Sequence, residues 1–412
     1  MLDKTDYIIG IDFGTTNSSS AMFINNKLEI IPDQLTGQKI IPSVVCYMEN
    51  NDVLVGEVAL GKQIEYSQST IFQSKRYIGH KFNDQEVQYD LQHKRMYVTI
   101  TEDEKTKKAM YVVKIGDEKN KKYLLPEDIA SEIIKYIKEN AEKRLNDILH
   151  KKITLSKAVI TVPAHFNDDR INAVKEAFKK ANLNVVNVIK EPEAIGIAYG
   201  HLHKKKEQTK ILTIDIGGGT FGMAILKIQG DKYEIIGSEG SGHLGGDDFE
   251  KSLRDYIVEQ IEKDKKMNLD FSKEKKHKDK KWVEVLSKIK EKTSRVISEL
   301  STKEKVKFEI KKLDGKNDFA IDISQDKYKE LTKGLLDKCE KKLKELFEKT
   351  DKKHKIKFKD INEIILVGGT TKAKNIQKIF EKYFDKKTIF QTLNADEAVA
   401  QGAAIYAKNL KK

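Results

Sequence analysis

The sequence predicts an α/β protein made of two similar lobes, because it contains an internal repeat, alternates strands with helices and is long. The repeated segments are residues 8–22, IIGIDFGTTNSSSAM, and residues 212–226, LTIDIGGGTFGMAIL. Their alignment places Asp12 on Asp215 and Gly14 on Gly217. Each reads as a short buried strand, an Asp at its end, a Gly/Thr turn and a returning strand. Such a repeat in a chain of 412 residues predicts two lobes that face each other.

The first half alternates helices with strands. Residues 126–149 carry apolar side chains at the spacing of one helical face, and Pro126 suits a first helical turn. After that helix we predict a strand at 158–163, a helix at 168–181 and a strand at 185–189. Residues 43–121 hold short strands and several charges, which predicts an inserted subdomain.

The second half repeats this alternation, which is typical of α/β layers. We predict a strand at 363–367 and helices at 247–267, 372–384 and 396–408. A second insertion, 245–324, is predicted to end in a hairpin whose turn contains Asp314 and Gly315. The predicted domains are lobe I at 1–205, with a core of 1–42 and 122–205, and lobe II at 206–412, with a core of 206–244 and 325–412.

The charge of the chain has two interpretations. The 77 Lys and Arg residues outnumber the 64 Asp and Glu residues and leave a net charge of +13, which would suit nucleic acid or an acidic surface as partner. The Lys residues are interleaved with acidic ones, however, as on solvated helix faces, and the basic runs lack aromatic residues that stack on bases. We therefore expect no nucleic-acid partner, and we predict exposed loops or helix ends at 204–210 and 273–281.

Cysteine usage and the N-terminus predict the compartment. Cys46 and Cys339 are too few for a disulfide framework, and each has apolar neighbours, so we predict two buried thiols. The first residues include no basic segment followed by an apolar one, and no apolar run approaches the roughly 18 residues of a membrane helix. We expect a soluble, cytoplasmic protein with no membrane partner.

The two repeated turns have the composition of phosphate-binding loops. Glycines at 14 and 217–219 let the backbone approach an anion closely, so that several N–H groups point at it, and Thr hydroxyls add donors. One such turn is a weak signal, because tight hairpins need glycine anyway. Two matched turns, each directly after an Asp, are much stronger. A further Gly-Gly pair in ILVGGTTK (365–372) ends a strand and opens a helix, where anions also bind.

Three acidic residues complete the predicted site. Asp12 and Asp215 would face each other beneath the phosphates, and such a pair repels a triphosphate unless a cation lies between the carboxylates. Mg²⁺ prefers oxygen ligands and keeps several waters, so we predict that both Asp residues bind it, through water or directly. Glu191 precedes a proline that fixes an extended or turn geometry, and we predict that it orients the attacking water together with Asp215.

The sequence contains no GxSxG, HExxH, CxxC or Walker A motif. Instead, it resembles the nucleotide-binding domain of the seventy-kilodalton heat-shock (DnaK-type) chaperones in seven ordered segments: IDFGTTNS, VITVPAHFND, EPEAIGIAYG, DIGGGTFG, GHLGGDDF, ILVGGTTK and NADEAVAQGAA. The resemblance covers nearly the whole chain. It implies an actin-like ATPase fold, a duplicated ribonuclease H-like fold, with four subdomains in two lobes and ATP or ADP at the bottom of a central cleft.

The resemblance also implies roles for individual residues. Asp215 and Glu191 match the family's catalytic carboxylates, and Mg²⁺ is the implied cation, with K⁺ as a further candidate. The first phosphate loop would comprise Asp12, Gly14, Thr15, Thr16 and Asn17, and the second Gly217, Gly218, Gly219 and Thr220. Gly245 and Gly246 would lie near the nucleotide. The adenosine side would be lined by Gly368, Gly369, Thr370 and Lys372, and closed by Asp396.

The chain departs from the family pattern in several places. Gly222 stands where the family has a second Asp, just after the Phe of the DIGGGTF motif. The family's catalytic lysine follows a short VG motif, and an alignment without gaps puts Leu60 there, so we predict that Lys62 serves after a local shift. The Glu and Lys that the family offers to the ribose align with Ser294 and Ile297, which predicts weaker adenosine affinity.

Two functions follow from these observations. The first is slow Mg²⁺-dependent ATP hydrolysis that switches lobe closure in a heat-shock-type chaperone. The second is a non-catalytic module that binds ATP and regulates a partner chaperone, which Leu60 and Gly222 favour. We expect no peptide-binding domain within these residues, which end at KNLKK. The resemblance implies a role in the stress response and J-domain co-chaperones and nucleotide-exchange factors as partners, and we expect a monomer.

Overall fold

The computed structural model of the chain describes residues 7–92, 98–116, 120–204, 207–230, 232–267, 269, 280–384, 389–390, 394 and 397–410. The strands of the first half are β1 (Ile8–Asp12), β2 (Asn17–Ile24), β3 (Lys27–Ile30), β4 (Ile41–Pro42), β5 (Val44–Tyr47), β6 (Val53–Val55), β7 (Thr70–Phe72), β8 (Thr99–Glu102), β9 (Ala109–Lys114), β10 (Lys121–Leu124), β11 (Lys157–Val162) and β12 (Asn184–Lys190). Its helices are α1 (Glu57–Gly61), α2 (Gln85–Gln92), α3 (Pro126–Leu149), α4 (Asp168–Lys180) and α5 (Glu191–His203).

The second half continues the same alternation. Its strands are β13 (Thr209–Ile216), β14 (Thr220–Gln229), β15 (Lys232–Gly242), β16 (Lys305–Ile310), β17 (Phe319–Ser324), β18 (Glu363–Val367) and β19 (Ile389–Phe390). Its helices are α6 (Gly246–Lys263), α7 (Lys280–Leu300), α8 (Gln325–His354), α9 (Lys374–Glu381) and α10 (Ala398–Asn409). Both halves therefore combine sheets and helices, which confirms the α/β class.

Two large sheets carry the repeated hairpins. The first has the order β12-β11-β1-β2-β3, with β4 paired to β2, and the second has the order β15-β14-β13-β18-β19. In each sheet the first strand of the hairpin, β1 or β13, lies antiparallel to its return strand and parallel to a later strand. The internal repeat is thus a repeat of structure, with Asp12 as the last residue of β1 and Asp215 as the last but one of β13.

Most predicted elements of the two cores lie where the sequence places them. In α3 the apolar stripe is buried at Ile129, Ile133, Ile137, Ala141 and Leu145, as its spacing predicts. This stripe joins the first core, which also contains Ile9, Ile11 and Ile160 of the large sheet. Burial of a continuous apolar face stabilises the helix much more than its intrinsic propensity does.

The segment after Lys190 differs from the prediction. The extended or turn geometry expected before Pro192 is wrong, because Glu191 is the first residue of α5 and Pro192 lies in the first helical turn. Proline fits there, since the N–H that it lacks would have no partner within the helix. The backbone N–H of Lys190 donates to Glu193 Oε2 at 3.1 Å, which fixes the start of the helix.

Two helices lie between the large sheets. Helix α10 packs on β1, β2 and β11, whereas α5 packs on β13 and β14, and the two helices contact each other. Glycines permit this close packing, because a Cβ on Gly10 would lie 2.3 Å from the backbone nitrogen of Ala404, and one on Gly402 would lie 1.9 Å from the carbonyl oxygen of Ala194. The end of the chain therefore joins the two halves of the fold.

The smaller sheets belong to the predicted insertions. The first insertion has sheets of the orders β6-β5-β7 and β10-β9-β8, in which β10 extends past the predicted bound to Leu124, and within 245–324 the hairpin β16-β17 forms as predicted. Its turn contains Gly315 with a φ of 93°, a conformation that glycine adopts readily. The exact bounds of the lobes and insertions stay predictions. The basic run at 273–279 lies outside the described residues.

Two further sequence predictions concern the cysteines and membrane-spanning helices. Cys46 and Cys339 are free and buried, which confirms the expected thiols. Burial raises the pKa of Cys46 and raises that of Cys339 to about 12, so both are inert thiols at neutral pH. Among the residues with a described structure, no helix is both long and apolar enough to cross a membrane.

Candidate functional site

The first repeated turn joins β1 to β2 directly after Asp12. The hydroxyl of Thr161, on the neighbouring strand β11, donates to Asp12 Oδ1 at 3.0 Å and so orients this carboxylate. Within the turn, Ser43 Oγ donates to the carbonyl oxygen of Gly14 at 2.8 Å. A Cβ on Gly14 would lie 1.9 Å from the carbonyl oxygen of Asn17, so the turn is too tight for any side chain there.

The second repeated turn joins β13 to β14 and lies against the first. The backbone N–H of Gly217 donates to the carbonyl oxygen of Thr220 at 3.0 Å and closes the turn. A Cβ on Gly218 would lie 2.0 Å from Thr16 Oγ1, and a Cβ on Gly219 would lie 2.9 Å from Thr15 Cγ2. The two turns are therefore in contact, as expected for lobes that face each other.

A third loop, after β18, completes the cradle. Gly368 has a φ of 88°, and a Cβ there would lie 2.2 Å from the carbonyl oxygen of Ile216 and 3.0 Å from Asp215 Oδ1. The hydroxyl of Thr370 contacts the carbonyl oxygen of Gly217 at 3.5 Å. This loop, predicted to lie on the adenosine side, thus also borders the second turn and its carboxylate.

The three loops enclose one cavity of about 300 Å³, which we call the phosphate pocket. Most predicted site residues line it: Asp12, Gly14, Thr15, Thr16, Asn17, Glu191, Asp215, Gly217, Gly218, Gly219, Thr220, Gly368, Gly369 and Thr370. These residues come from distant parts of the chain, and glycines account for several of them. Glycine-rich turns fit a polyphosphate, because nothing prevents its oxygens from approaching the backbone N–H groups.

Gly245 and Gly246 lie behind the second turn and do not line the phosphate pocket. The backbone N–H groups of Gly246 and Asp247 donate to the carbonyl oxygens of Gly217 and Gly218 at 2.8 and 2.7 Å. These two N–H groups at the start of α6 therefore hold the turn in place. The predicted residue Asp396 lies outside the described residues, as does the side chain of Lys372.

The structure corrects the predicted catalytic lysine. Lys62 caps the C-terminal end of α1 with 40% of its side chain exposed, and its Nζ donates to Glu65 Oε2 at 3.0 Å. It does not line the phosphate pocket, whereas Leu60 lines a separate cavity of about 680 Å³ between the two insertions, which we call the upper cleft. The position counted from the VG motif was wrong because α1 and β7 lie between that motif and the next lysine that reaches the interior.

Lys75 occupies the place for which Lys62 was predicted. Its side chain is 2% exposed, and Nζ donates to Glu191 Oε1 at 2.6 Å. The ammonium group also lies 5.7 Å from the ring centroid of Phe13 and 5.9 Å from that of Phe166. A Lys is rarely buried without a partner, and here Glu191 is that partner. The sequence signal was the Lys-Arg pair inside the segment TIFQSKRYIG, which has no other charged residue, unlike the solvated basic runs.

The residues expected beside the ribose separate on α7. Ser294 lines the upper cleft together with Glu291 and Arg295, whereas Ile297 packs against the apolar core of the second insertion. A helix places positions three apart on similar but not identical faces, and of these two residues Ser294 lines the cleft while Ile297 does not. Glu291 and Arg295 supply a carboxylate and a cation there, so the reason to expect weak adenosine affinity is reduced.

Gly222 faces α5. A Cβ at this position would lie 3.4 Å from Pro192 Cδ, an ordinary contact. Within the described part of the chain, no group of three or more His, Cys, Asp or Glu side chains could hold a metal ion. Asp12 and Asp215 both line the phosphate pocket, and carboxylate oxygens suit a cation such as Mg²⁺ that takes its other ligands from phosphates and water.

The comparisons with known proteins agree on one family. The profile of the family described as Hsp70 protein matches residues 8–412. The chain is 37% identical over 399 residues to "Chaperone protein dnaK" of Cyanidium caldarium, covering 97% of this chain and 60% of that protein. It is 35% identical over 401 residues to "Heat shock 70 kDa protein 6, chloroplastic" of Arabidopsis thaliana, covering 97% of this chain and 52% of that protein.

This chain thus spans between half and two thirds of the length of these relatives. Its match to the family profile is nearly complete, and the resemblance seen in seven sequence segments is confirmed. The chain belongs to the Hsp70 family, and it has the actin-like ATPase fold of that family.

Proposed function

We propose that this chain is the ATP-binding domain of a heat-shock-type chaperone, which hydrolyses ATP slowly and closes its two lobes according to the bound nucleotide. One observation carries the proposal. Two matched Asp–Gly/Thr turns border a single pocket, and the buried pair Lys75–Glu191 lies at that pocket. Family membership supports it, because relatives of this domain are named as chaperones.

The glycine turns bind the phosphates in this proposal. Backbone N–H groups of residues 15–16 and 218–219 donate to phosphate oxygens, and the hydroxyls of Thr15 and Thr220 add further donors. Asp12 and Asp215 would hold Mg²⁺, which when bound would supply neutralisation of the phosphate charge. The contact between Thr161 and Asp12 keeps that carboxylate oriented before the nucleotide arrives.

Hydrolysis requires in-line attack by water on the γ-phosphate. Glu191 and Asp215 hold the attacking water by accepting its hydrogen bonds. Lys75 donates to Glu191 and to the γ-phosphate, so that its positive charge faces the oxygens on which negative charge develops. Because burial already holds Lys75 in place, its side chain needs little reorganisation during the reaction, which suits this role.

The base and ribose have a separate proposed site. Glu291, Ser294 and Arg295 of α7 offer polar groups on one side, and Gly368, Gly369 and Thr370 lie on the other. We include Lys372 and Asp396 in this site on the strength of the resemblance. All of these residues belong to the second half of the chain, so in this proposal the phosphates, which lie between turns from both halves, favour a closed arrangement of the lobes.

The non-catalytic alternative loses its main support. It rested on the absence of a lysine at the position of Leu60 and on the replacement of a carboxylate by Gly222. Lys75 supplies a buried ammonium group at the site, so the first reason no longer applies. Gly222 removes one possible cation ligand and leaves Asp12 and Asp215 in the pocket.

Single-turnover hydrolysis of radiolabelled ATP with Mg²⁺ tests the proposal. We expect phosphate production by the wild-type chain and a loss of about 100-fold in the cleavage rate of Lys75→Ala, because one preorganised donor is removed. Lys62→Ala is the matched control, since that lysine is exposed, and it should cleave ATP at the wild-type rate. Cleavage by Lys75→Ala at the wild-type rate, with ATP bound, would refute the role of Lys75.

Cellular context is the remaining part of the proposal. We propose J-domain co-chaperones and nucleotide-exchange factors as partners, the stress response as the setting, and a monomeric domain. K⁺ is a second candidate cation. The cytoplasmic location stays a prediction from the sequence, and the name of the Arabidopsis relative places that protein in the chloroplast.

A further inference from the structure

A second cavity lies next to the phosphate pocket. It measures about 230 Å³ and shares Thr15, Gly219 and Thr220 with that pocket, and we call it the rear pocket. A water molecule takes up about 30 Å³, so the rear pocket has room for a tetrahedral oxyanion with some solvent. Lys75 lines the rear pocket, whereas its partner Glu191 lines the phosphate pocket, so the ion pair lies at the boundary.

The lining of the rear pocket is basic. Lys75, Arg76 and Arg170 contribute three cations against the single carboxylate of Glu86, and histidines 80, 165 and 243 line it as well. Burial lowers the pKa of Arg170 only to about 9, so its guanidinium stays charged at neutral pH. A small cavity with this charge favours an anion.

Arg76 offers hydrogen-bond donors that the described residues do not use. The residue is 8% exposed, and its Nη1 donates to His243 Nδ1 at 2.7 Å. Nε and Nη2 are buried without an acceptor among the described residues. A Cβ on Gly219 would lie 3.3 Å from Nη2, so this unpaired donor lies against the second phosphate turn. Buried guanidinium donors normally have partners, so an acceptor is expected there.

Neighbouring carboxylates do not supply that acceptor. Asp90 Oδ2 and Asp248 Oδ1 each lie 3.9 Å from Arg76 Nη1, beyond hydrogen-bond distance, and both approach the nitrogen that already contacts His243. These two carboxylates balance part of the positive charge on one side of Arg76. The donors on the side of Gly219 stay available to a ligand.

Arg170 and His165 hold this arrangement in place. Arg170 donates to the carbonyl oxygens of Lys75, Arg76 and Ile78 at 3.0, 3.1 and 3.2 Å, which fixes the segment that carries both cations. Its Nη1 lies 3.4 Å from His165 Nε2, and burial and Arg170 lower the pKa of His165 to about 2. His165 is therefore neutral, with its proton on Nδ1, another buried donor without an acceptor among the described residues.

We propose that the rear pocket is a second anion site, which receives inorganic phosphate cleaved from ATP as it leaves the phosphate pocket, with Arg76 as its principal ligand. The proposal rests on the proposed ATPase function for the source of the phosphate. The existence of the anion site can be tested without hydrolysis.

The binding test uses inorganic phosphate as the probe. The chain is first saturated with a non-hydrolysable ATP analogue and Mg²⁺, so that the γ-phosphate position is occupied, and phosphate is then titrated by calorimetry. We expect one phosphate site, weakened about tenfold or more in Arg76→Gln because charged donors are lost. Arg144→Gln is the matched control, because Arg144 does not line the rear pocket and forms a partly exposed ion pair with Glu29. This substitution should leave phosphate affinity unchanged.

A variant that retains the charge keeps the test decisive. Arg76→Lys preserves the cation and the apolar stem but removes the forked donors. We therefore expect its phosphate affinity to lie between those of the wild type and Arg76→Gln. Thermal unfolding checks that each variant is folded. The proposal is wrong if the wild-type chain with bound analogue takes up no phosphate, or if folded Arg76→Gln and Arg76→Lys bind phosphate as tightly as the wild type.

The exit role has its own readout. In a single turnover, chemical quenching measures ATP cleavage and a fluorescent phosphate sensor measures release. Arg76→Gln should slow release relative to cleavage, and an unchanged ratio of the two rates would exclude the exit role. A wild-type chain that binds the analogue without cleaving ATP contradicts the proposed hydrolysis instead, and the titration then decides the anion site alone.

Discussion

Lys75 and Glu191 lie 116 positions apart in the sequence, and their side chains meet at 2.6 Å in the interior of the protein. Each residue alone would be costly to bury, because an isolated charge loses its hydration. Together they form a pair that stays buried at the edge of the phosphate pocket. At the scale of single residues, such pairs and the glycines of the turns decide whether the site exists.

Gly14→Ala tests the glycine cradle at this scale. The added Cβ would lie 1.9 Å from the carbonyl oxygen of Asn17, so the first turn must open, and we expect a destabilisation of about 1–3 kcal/mol. ATP affinity should fall about tenfold or more, as the N–H groups of the turn lose their alignment. Calorimetry with Mg²⁺ and ATP and urea unfolding measure the two effects.

Gly61→Ala is the control for that experiment. A Cβ at Gly61 meets no atom within 4 Å, and the residue ends α1 away from the phosphate pocket. We expect its stability to change by less than about 0.5 kcal/mol and its ATP affinity to stay at the wild-type value. Equal behaviour of the two variants would mean that the tight first turn has no part in binding.

At the scale of elements, the same residue type has opposite roles in two helices. Gly334 lies on the exposed face of α8, where an added Cβ meets nothing within 4 Å, whereas Gly402 of α10 contacts the backbone of α5. The first glycine only weakens its helix. The second allows the helices between the large sheets to approach each other.

Paired alanine substitutions test this difference. Gly334→Ala should stabilise the chain by about 0.5–1 kcal/mol, because alanine loses less backbone entropy in a helix. Gly402→Ala should destabilise it by about 1–3 kcal/mol, since the Cβ would lie 1.9 Å from the carbonyl oxygen of Ala194. Urea unfolding of both variants gives the comparison, and a shift of the same sign in both would contradict the proposed packing of α10 on α5.

At the scale of the whole molecule, the two halves also touch across the cleft. Gln73 Nε2 of the first half donates to Asp247 Oδ2 of the second at 2.5 Å, and Thr16 Oγ1 lies 3.5 Å from the same oxygen. Asp247 begins α6, whose N–H groups hold the second turn. A ligand between the turns therefore acts on the contacts that close the cleft.

Nucleotide binding should accordingly stabilise the molecule as a unit. At a concentration of about 100 times its Kd, Mg²⁺ with ATP should raise the free energy of unfolding by about 2.7 kcal/mol. Mg²⁺ alone should have little effect, and chelation of Mg²⁺ should reduce the shift with ATP, because Asp12 and Asp215 would then repel the triphosphate. Differential scanning calorimetry measures the shift, and its absence would refute the phosphate pocket as a nucleotide site.

The sequence predicted more of the fold than of the site. The repeated Asp–Gly/Thr segments, the buried stripe of α3 and the strands around them follow from local periodicity, and the structure has them in place. Local rules were less reliable at Pro192. A proline can follow the end of a helix or lie in its first turn, and here it lies in the first turn of α5. They also failed on α7, where Glu291 and Arg295 line the cleft with Ser294 while Ile297 packs against the apolar core.

By itself the sequence determined the α/β class, the internal repeat, the two glycine turns with their Asp residues and the family, because these depend on residues that are close along the chain. Only the tertiary structure decided which lysine reaches the site and which cavity lies behind it. The path from the VG motif through α1 and β7 returns Lys75 and Arg76 to the interior while Lys62 stays in solvent. Distances between residues more than a hundred positions apart depend on how whole elements pack, and no local pattern encodes them.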